Sequence, residues 1–92
     1  MLDLNEVLVL SSDIVLRGIG NKYWALNTKR GNQYKLNEVS YSILDVFHKP
    51  LKINSMIESM LNEYKVDRAR LEADCVAIIG FAIEKNILVK GV

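Results

Sequence analysis

The apolar residues of this 92-residue chain change their spacing once, near Asn37, and that single switch limits the folds open to it. Upstream, short aromatic and β-branched runs are cut by turn residues. Val7–Leu10 stops at Ser11-Ser12-Asp13, and Ile14–Arg17 stops at Gly18-Ile19-Gly20-Asn21. Tyr23–Leu26 stops at Thr28-Lys29-Arg30-Gly31-Asn32, and Gln33–Leu36 places Tyr34 and Leu36 on one face with Gln33 and Lys35 on the other. Runs of this kind between Gly/Asn/Asp/Ser clusters read as strands joined by hairpins. The expected meander has strands at 14–18, 22–27 and 32–36, with Val7–Leu10 as an extra edge strand or a packed arm.

Downstream the period is helical. Asn37 is placed to cap a helix over 38–48, stapled by Leu36 and Tyr41, with Val39, Ile43, Val46 and Phe47 as its buried stripe. His48-Lys49-Pro50 ends it, because the residue before proline is pushed out of the helical region. A second helix over 53–64 carries Ile53, Met56, Ile57, Met60, Leu61 and Tyr64 on one side. Asp67 caps a third over 68–85, stapled by Val66 and Leu71, and Ile87-Leu88-Val89 is a short extended tail. The fold class is α+β, resembling a winged helix-turn-helix: a three-stranded antiparallel N-terminal sheet followed by three helices, as one domain over residues 1–92.

The third helix carries more apolar surface than one core stripe requires. Leu71, Cys75, Ile78, Ile79 and Ala82 form that stripe, yet Val76 and Ile83 flank it on one side and Ala77 and Phe81 on the other. A helix on a small domain is normally polar opposite its core face. Either this helix is sandwiched between sheet and helices, or one flank is left for something else to cover.

Nothing in the chain points to catalysis, to a cofactor or to a bound metal. The only cysteine, Cys75, lies on the core stripe, and the only histidine, His48, sits in a turn with no second ligand nearby. Gly18-Ile19-Gly20 lacks a third glycine and precedes a strand, so it reads as a turn. A domain of this length buries about 60–65% of its unfolded surface, leaving little room for a deep catalytic cavity. Twelve basic against eleven acidic residues argue against nucleic acid or an anionic membrane as the main partner, and no apolar run is long enough to cross a bilayer. The N-terminus has no basic start or cleavage site of a signal peptide, so a cytoplasmic location is expected.

The stretch from Tyr23 to Lys90 resembles the PqqD family, the recognition elements that bind leader peptides in the maturation of ribosomally made natural products. Tyr34-Lys35-Leu36-Asn37-Glu38-Val39 is similar to the family's aromatic–basic–Leu-Asn-Glu passage from third strand to first helix. Ile53–Glu58 and Leu61–Val66 resemble its second helix and the Tyr-Asp-Val that closes it. Leu71, Asp74, Cys75, Ile78, Ile79 and Ala82 match a leucine, an aspartate and apolar core positions, and Ile87-Leu88-Val89 matches the closing segment. Departures fall at turns and caps: Lys49-Pro50 replaces a glycine turn, Lys52 a capping threonine, Lys65 an aspartate and Asn86 a glycine.

The resemblance implies a non-enzymatic peptide-recognition protein. The leader of a precursor peptide is expected to add as a strand to the third strand, through Asn32, Gln33, Tyr34 and Lys35, with its apolar side chains in a groove against the third helix. Arg70, Asp74, Ala77 and Phe81 are the expected groove wall, and Arg30 and Lys35 are placed to meet acidic leader residues. The implied partners are that precursor and a separate maturation enzyme, such as a radical-SAM enzyme, a leader protease or a cyclodehydratase; a homodimer is compatible with the free strand edge. Two rivals share the same elements: a winged-helix DNA binder, with the third helix as reader, and a dimerisation module with no peptide ligand. The DNA reading is weakened by Asp67, Glu72 and Asp74 opposing Arg68 and Arg70, and by the apolar remainder of that helix. Residues 1–36 hold five basic against three acidic side chains, an excess of two that suits a solvated rim.

Overall fold

In the computed structural model, which describes residues 3–91, the chain forms β1 (Val7–Leu10), β2 (Ile14–Ile19), β3 (Lys22–Asn27), β4 (Gln33–Leu36), α1 (Glu38–Asp45) with a 3-10 turn (Val46–His48), β5 (Leu51–Lys52), α2 (Ile53–Glu63), α3 (Arg68–Glu84) and β6 (Leu88–Lys90). Met1, Leu2 and Val92, the ends of the expected 1–92 domain, lie outside the described residues. The meander is a three-stranded antiparallel sheet in the order β2-β3-β4, with bounds within one residue of those expected. Its hairpins turn at Gly20 (φ 62°) and Gly31 (φ 80°), both in the left-handed region that glycine enters without a Cβ clash.

Val7–Leu10 is neither an edge strand nor an arm. It is the central strand of a second sheet, β5-β1-β6, pairing Leu8 with Leu51 on one side and Val9 with Val89 on the other. Leu8 and Leu88 are thereby buried in the core. The N-terminal segment also completes α2. Lys52, standing at the N-cap, makes no side-chain cap, so the helix's first amides need other acceptors. The Ile53 amide donates to the Glu6 carbonyl (3.1 Å) and the Asn54 amide to the Leu4 carbonyl (2.8 Å).

Asn37 caps α1 as its side chain predicts, its Oδ1 accepting from the Ser40 amide at 2.7 Å. The helix is shorter than 38–48, giving way to the 3-10 turn at Val46 ahead of Pro50. Its buried face is Ile43 and Leu44, continued by Phe47 of the 3-10 turn, whereas Val39, expected on that stripe, is 52% exposed. On α2, Ile53, Met56 and Ile57 are buried, but Tyr64 is 49% exposed. Tyr64 has left the helix: its backbone is extended (φ −119°, ψ 140°), so helical spacing no longer sets its direction.

Asp67 caps α3 through Oδ2, accepting from the Arg70 amide at 3.2 Å. Leu71, Cys75, Ile79 and Ala82 are buried, with Ile78 partly so. The far end closes in a Schellman arrangement. The Ile87 amide donates to the Ala82 carbonyl (2.7 Å) and the Asn86 amide to the Ile83 carbonyl (3.1 Å), with Asn86 left-handed at φ 59°. That turn feeds the chain into β6.

Candidate functional site

β4 has β3 on one side and no strand on the other among the described residues. Which of its backbone groups face the open side follows from the ladder. The Asn27 amide donates to the Asn32 carbonyl at 2.9 Å, which marks 27–32 as a hydrogen-bonded pair. Antiparallel pairs alternate between bonded and non-bonded, so Ala25–Tyr34 and Tyr23–Leu36 are bonded as well. Gln33 and Lys35 therefore direct their N–H and C=O groups outward. An open edge of this kind is a template for one more strand.

The side chains of β4 alternate accordingly. Leu36 is buried, Tyr34 is partly buried on the same face, and Gln33 and Lys35 are exposed on the other. Lys35 thus gives its backbone to the edge and its ammonium to the opposite face, beside its cross-strand neighbour Trp24. Tyr34 meets Phe81 of α3 edge-on, with ring centroids 6.1 Å apart at 88°. This contact spans the gap between β4 and α3 and leaves Phe81 40% exposed.

On α3, Arg70, Asp74, Ala77 and Phe81 fall at i, i+4, i+7 and i+11 and so share one line along the helix. Arg70 and Asp74 border a cleft of about 560 Å³ where α1, α3 and the α2–α3 connection meet. Its apolar wall is Val39, Met60, Tyr64, Val66 and Leu71, and its rim also carries Glu38, Lys65 and Asp67. Val39, Tyr64 and Val66 are each about half exposed, at 52%, 49% and 49%. Sequence reasoning missed these wall residues because helical spacing assigned Val39 and Tyr64 to the core. The sign of their role lay in the Tyr64-Lys65-Val66 connection, which brings two apolar side chains beside the start of α3.

Arg30, also expected at the site, borders a second and more polar cavity of about 280 Å³ at the opposite end of β4, which Tyr34 also lines. Asn27 Oδ1 holds that turn by accepting from the Lys29 and Arg30 amides at 3.0 and 2.9 Å. Asn32 is exposed beside it, its Nδ2 donating to the Tyr34 hydroxyl at 3.4 Å. Arg30 and Tyr34 thus border one cavity and Arg70 and Asp74 the other, while Ala77 and Phe81 lie between them on α3. The opposite flank of α3 is uncovered too, with Val76 and Ile83 exposed, so neither side of the helix is sandwiched.

The arrangement offers apolar wall and backbone hydrogen bonds, and it offers no activated nucleophile. Burial raises the Cys75 thiol to about 11, helped by the nearby Asp74 and Glu72 carboxylates, so it stays protonated at neutral pH. Among the described residues no group of three His, Cys, Asp or Glu side chains is placed to hold a metal, and no helix is long and apolar enough to cross a membrane. Arg68 is engaged with Glu58 (2.6 Å) and Glu72 (3.8 Å), which raises its pKa, chiefly through the hydrogen bond to Glu58. Beyond Arg68–Arg70 at its start, the exposed residues of α3 are Ala73, Asp74, Val76, Ala77, Gly80, Phe81, Ile83 and Glu84, a poor match to base edges in a major groove.

A family model, described as coenzyme PQQ synthesis protein D (PqqD), matches residues 15–88. The chain belongs to the PqqD family. Two solved structures share the fold. One, described as TbiB1 in complex with the TbiA(beta) leader peptide, has a TM-score of 0.73 at 21% identity, covering 87% of this chain and 93% of that one. The other, lasso peptide synthetase B1 complexed with the leader peptide, has a TM-score of 0.68 at 17% identity, covering 89% and 96%. No curated protein matches the sequence. The PqqD match starts at Val15, beyond β1, although β1 is the centre of the second sheet here.

Proposed function

We propose that this PqqD-family protein binds the leader segment of a ribosomally synthesised precursor peptide and delivers it to a separate peptide-modifying enzyme or leader protease. The leader adds as a strand to β4, bonding the outward backbone groups of Gln33 and Lys35. Its alternate side chains enter the groove beside Phe81, Ala77, Asp74 and Arg70. Strand addition draws affinity from main-chain bonds and specificity from pockets for every second side chain.

The observation that carries this reading is the juxtaposition of an open strand edge with an uncovered, partly apolar line of α3, joined by the Tyr34–Phe81 contact. Both structural neighbours are described as complexes with leader peptides, which supports it. The protein itself contributes binding and orientation, and the covalent chemistry belongs to the partner enzyme. The test is to search the DNA flanking its gene for a short precursor-peptide gene and to titrate the isotope-labelled protein with that leader segment, followed by backbone amide shifts. Gln33, Lys35 and the Arg70–Phe81 line are expected to move together. Silence at all of these positions at saturating leader would sink the assignment. An open β4 edge also allows two copies to pair through Gln33–Leu36, in which case added leader converts dimer to monomer in sedimentation.

A further inference from the structure

A second cavity lies beside Tyr34, at the end of β4 away from the 560 Å³ cleft. One helical turn beyond Phe81 on the same line stands Lys85, which with Arg30 borders the 280 Å³ cavity between the β3–β4 turn and the end of α3. Neither cation forms an ion pair among the described residues. Three carbonyls near the end of α3, where free ones would repel an anion, already accept hydrogen bonds. The Phe81 carbonyl accepts from the Lys85 amide, that of Ile83 from Asn86 and that of Ala82 from Ile87. Asp13 is the one carboxylate on the cavity, so its charged side chains sum to one excess positive charge. At the groove's other end the balance reverses, with Glu38, Asp67 and Asp74 against Lys65 and Arg70.

Resting on the leader-binding reading, we propose that the Arg30–Lys85 cavity is an acid-selective subsite. It takes an Asp or Glu of the bound peptide, while the 560 Å³ cleft takes an apolar residue of the same peptide. The two anchors have a fixed separation. From Leu71 to Lys85 the axial distance is about 21 Å at about 1.5 Å per helical residue. An extended strand at about 3.3 Å per residue covers that in about six residues. The opposite signs at the two ends also set the direction in which the peptide lies, because reversing it would bring the acidic anchor to the acidic rim.

The test uses a phage-displayed library of random twelve-residue peptides, selected on the wild-type protein and on an R30E/K85E double variant whose fold is verified by circular dichroism. Wild-type selection is expected to enrich peptides with Asp or Glu about six positions from a large apolar residue. Selection on the charge-reversed protein replaces that acid with Lys or Arg. An acidic peptide from the first selection is expected to bind R30E/K85E roughly tenfold more weakly, with a shallower salt dependence, the scale of two exposed ion pairs lost. The milder R30Q/K85Q variant guards against loss of fold. Peptides that shift the Gln33 and Lys35 amides yet show no acidic preference would overturn the subsite and leave leader binding standing. Failure to recover any peptide that shifts those amides would overturn both.

Discussion

Proline at position 35 tests the register on which the site depends. The Lys35 amide points to the open edge, whereas the Tyr34 amide bonds the carbonyl of Ala25, a residue with no exposed surface. Proline removes an N–H from either position, and the matching alanine variant controls for the lost side chain. In Y34P relative to Y34A, a ladder bond of about 1 kcal/mol goes and a buried carbonyl is orphaned at about 1–3 kcal/mol, a total of about 2–4 kcal/mol. In K35P relative to K35A no internal bond is lost, and edge strands tolerate proline, so the stability change stays within about 1 kcal/mol. Binding responds in the opposite order: K35P cannot donate to an added strand, and the loss of about 1.4 kcal/mol expected for that hydrogen bond weakens the leader about tenfold. Urea denaturation gives the first pair of numbers and titration calorimetry with the leader gives the second. If K35P and Y34P destabilise equally, the register is wrong; if K35P binds leader as tightly as K35A, strand addition at this edge is wrong.

Three further outcomes follow from individual side chains. Phe81→Ala removes a ring that is 40% exposed; of its roughly 200 Å², about 80 Å² is free to be covered by peptide, worth about 2 kcal/mol or about thirtyfold in leader affinity by calorimetry. Asn86→Gly relieves a left-handed residue (φ 59°) at the end of α3 and raises the melting temperature, while Asn86→Val lowers it by the equivalent of about 1–2 kcal/mol. The Cys75 thiol, raised from 9.0 to about 11, resists a thiol reagent at pH 8 until urea unfolds the chain. Because the folded state holds that proton more tightly than the unfolded one, its contribution is intact below pH 9 and is lost as pH rises from 9 to 11. Denaturation midpoints across that range, compared with Cys75→Ala, read the difference.

The positions of the meander strands and the three helices were legible because they rest on local signals that the structure uses, whereas β5 carried no such signal. Asn37 and Asp67 cap the helices that follow them, Gly20 and Gly31 make the turns, and the alternation of Gln33–Leu36 separates Tyr34 and Leu36 from Lys35. The line Arg70–Asp74–Ala77–Phe81 was likewise readable, since helical geometry alone puts those residues on one side of α3. Val39 and Tyr64 were misplaced for different reasons. For Val39, periodicity reports which residues share a face and is silent on whether a neighbouring element arrives to cover it; for Tyr64, the helix ends one residue earlier, so helical spacing does not apply.

The order of the meander strands and helices, the caps of α1 and α3, the hairpin turns and the surplus apolar surface on α3 can all be read along the chain, because each depends on residues within a few positions of one another. Tertiary structure alone decided the rest. Val7–Leu10 became a central strand only because β5 and β6 reach it from distant parts of the chain. Leu4 and Glu6 supply with their carbonyls the cap that Lys52 lacks, a contact across some fifty positions. The outward direction of Gln33 and Lys35 depends on which pair of the ladder is bonded, and no side-chain pattern records that. The 560 Å³ cleft is the meeting of α1, α3 and the α2–α3 connection in space, so its walls are chosen by packing and not by spacing along the chain.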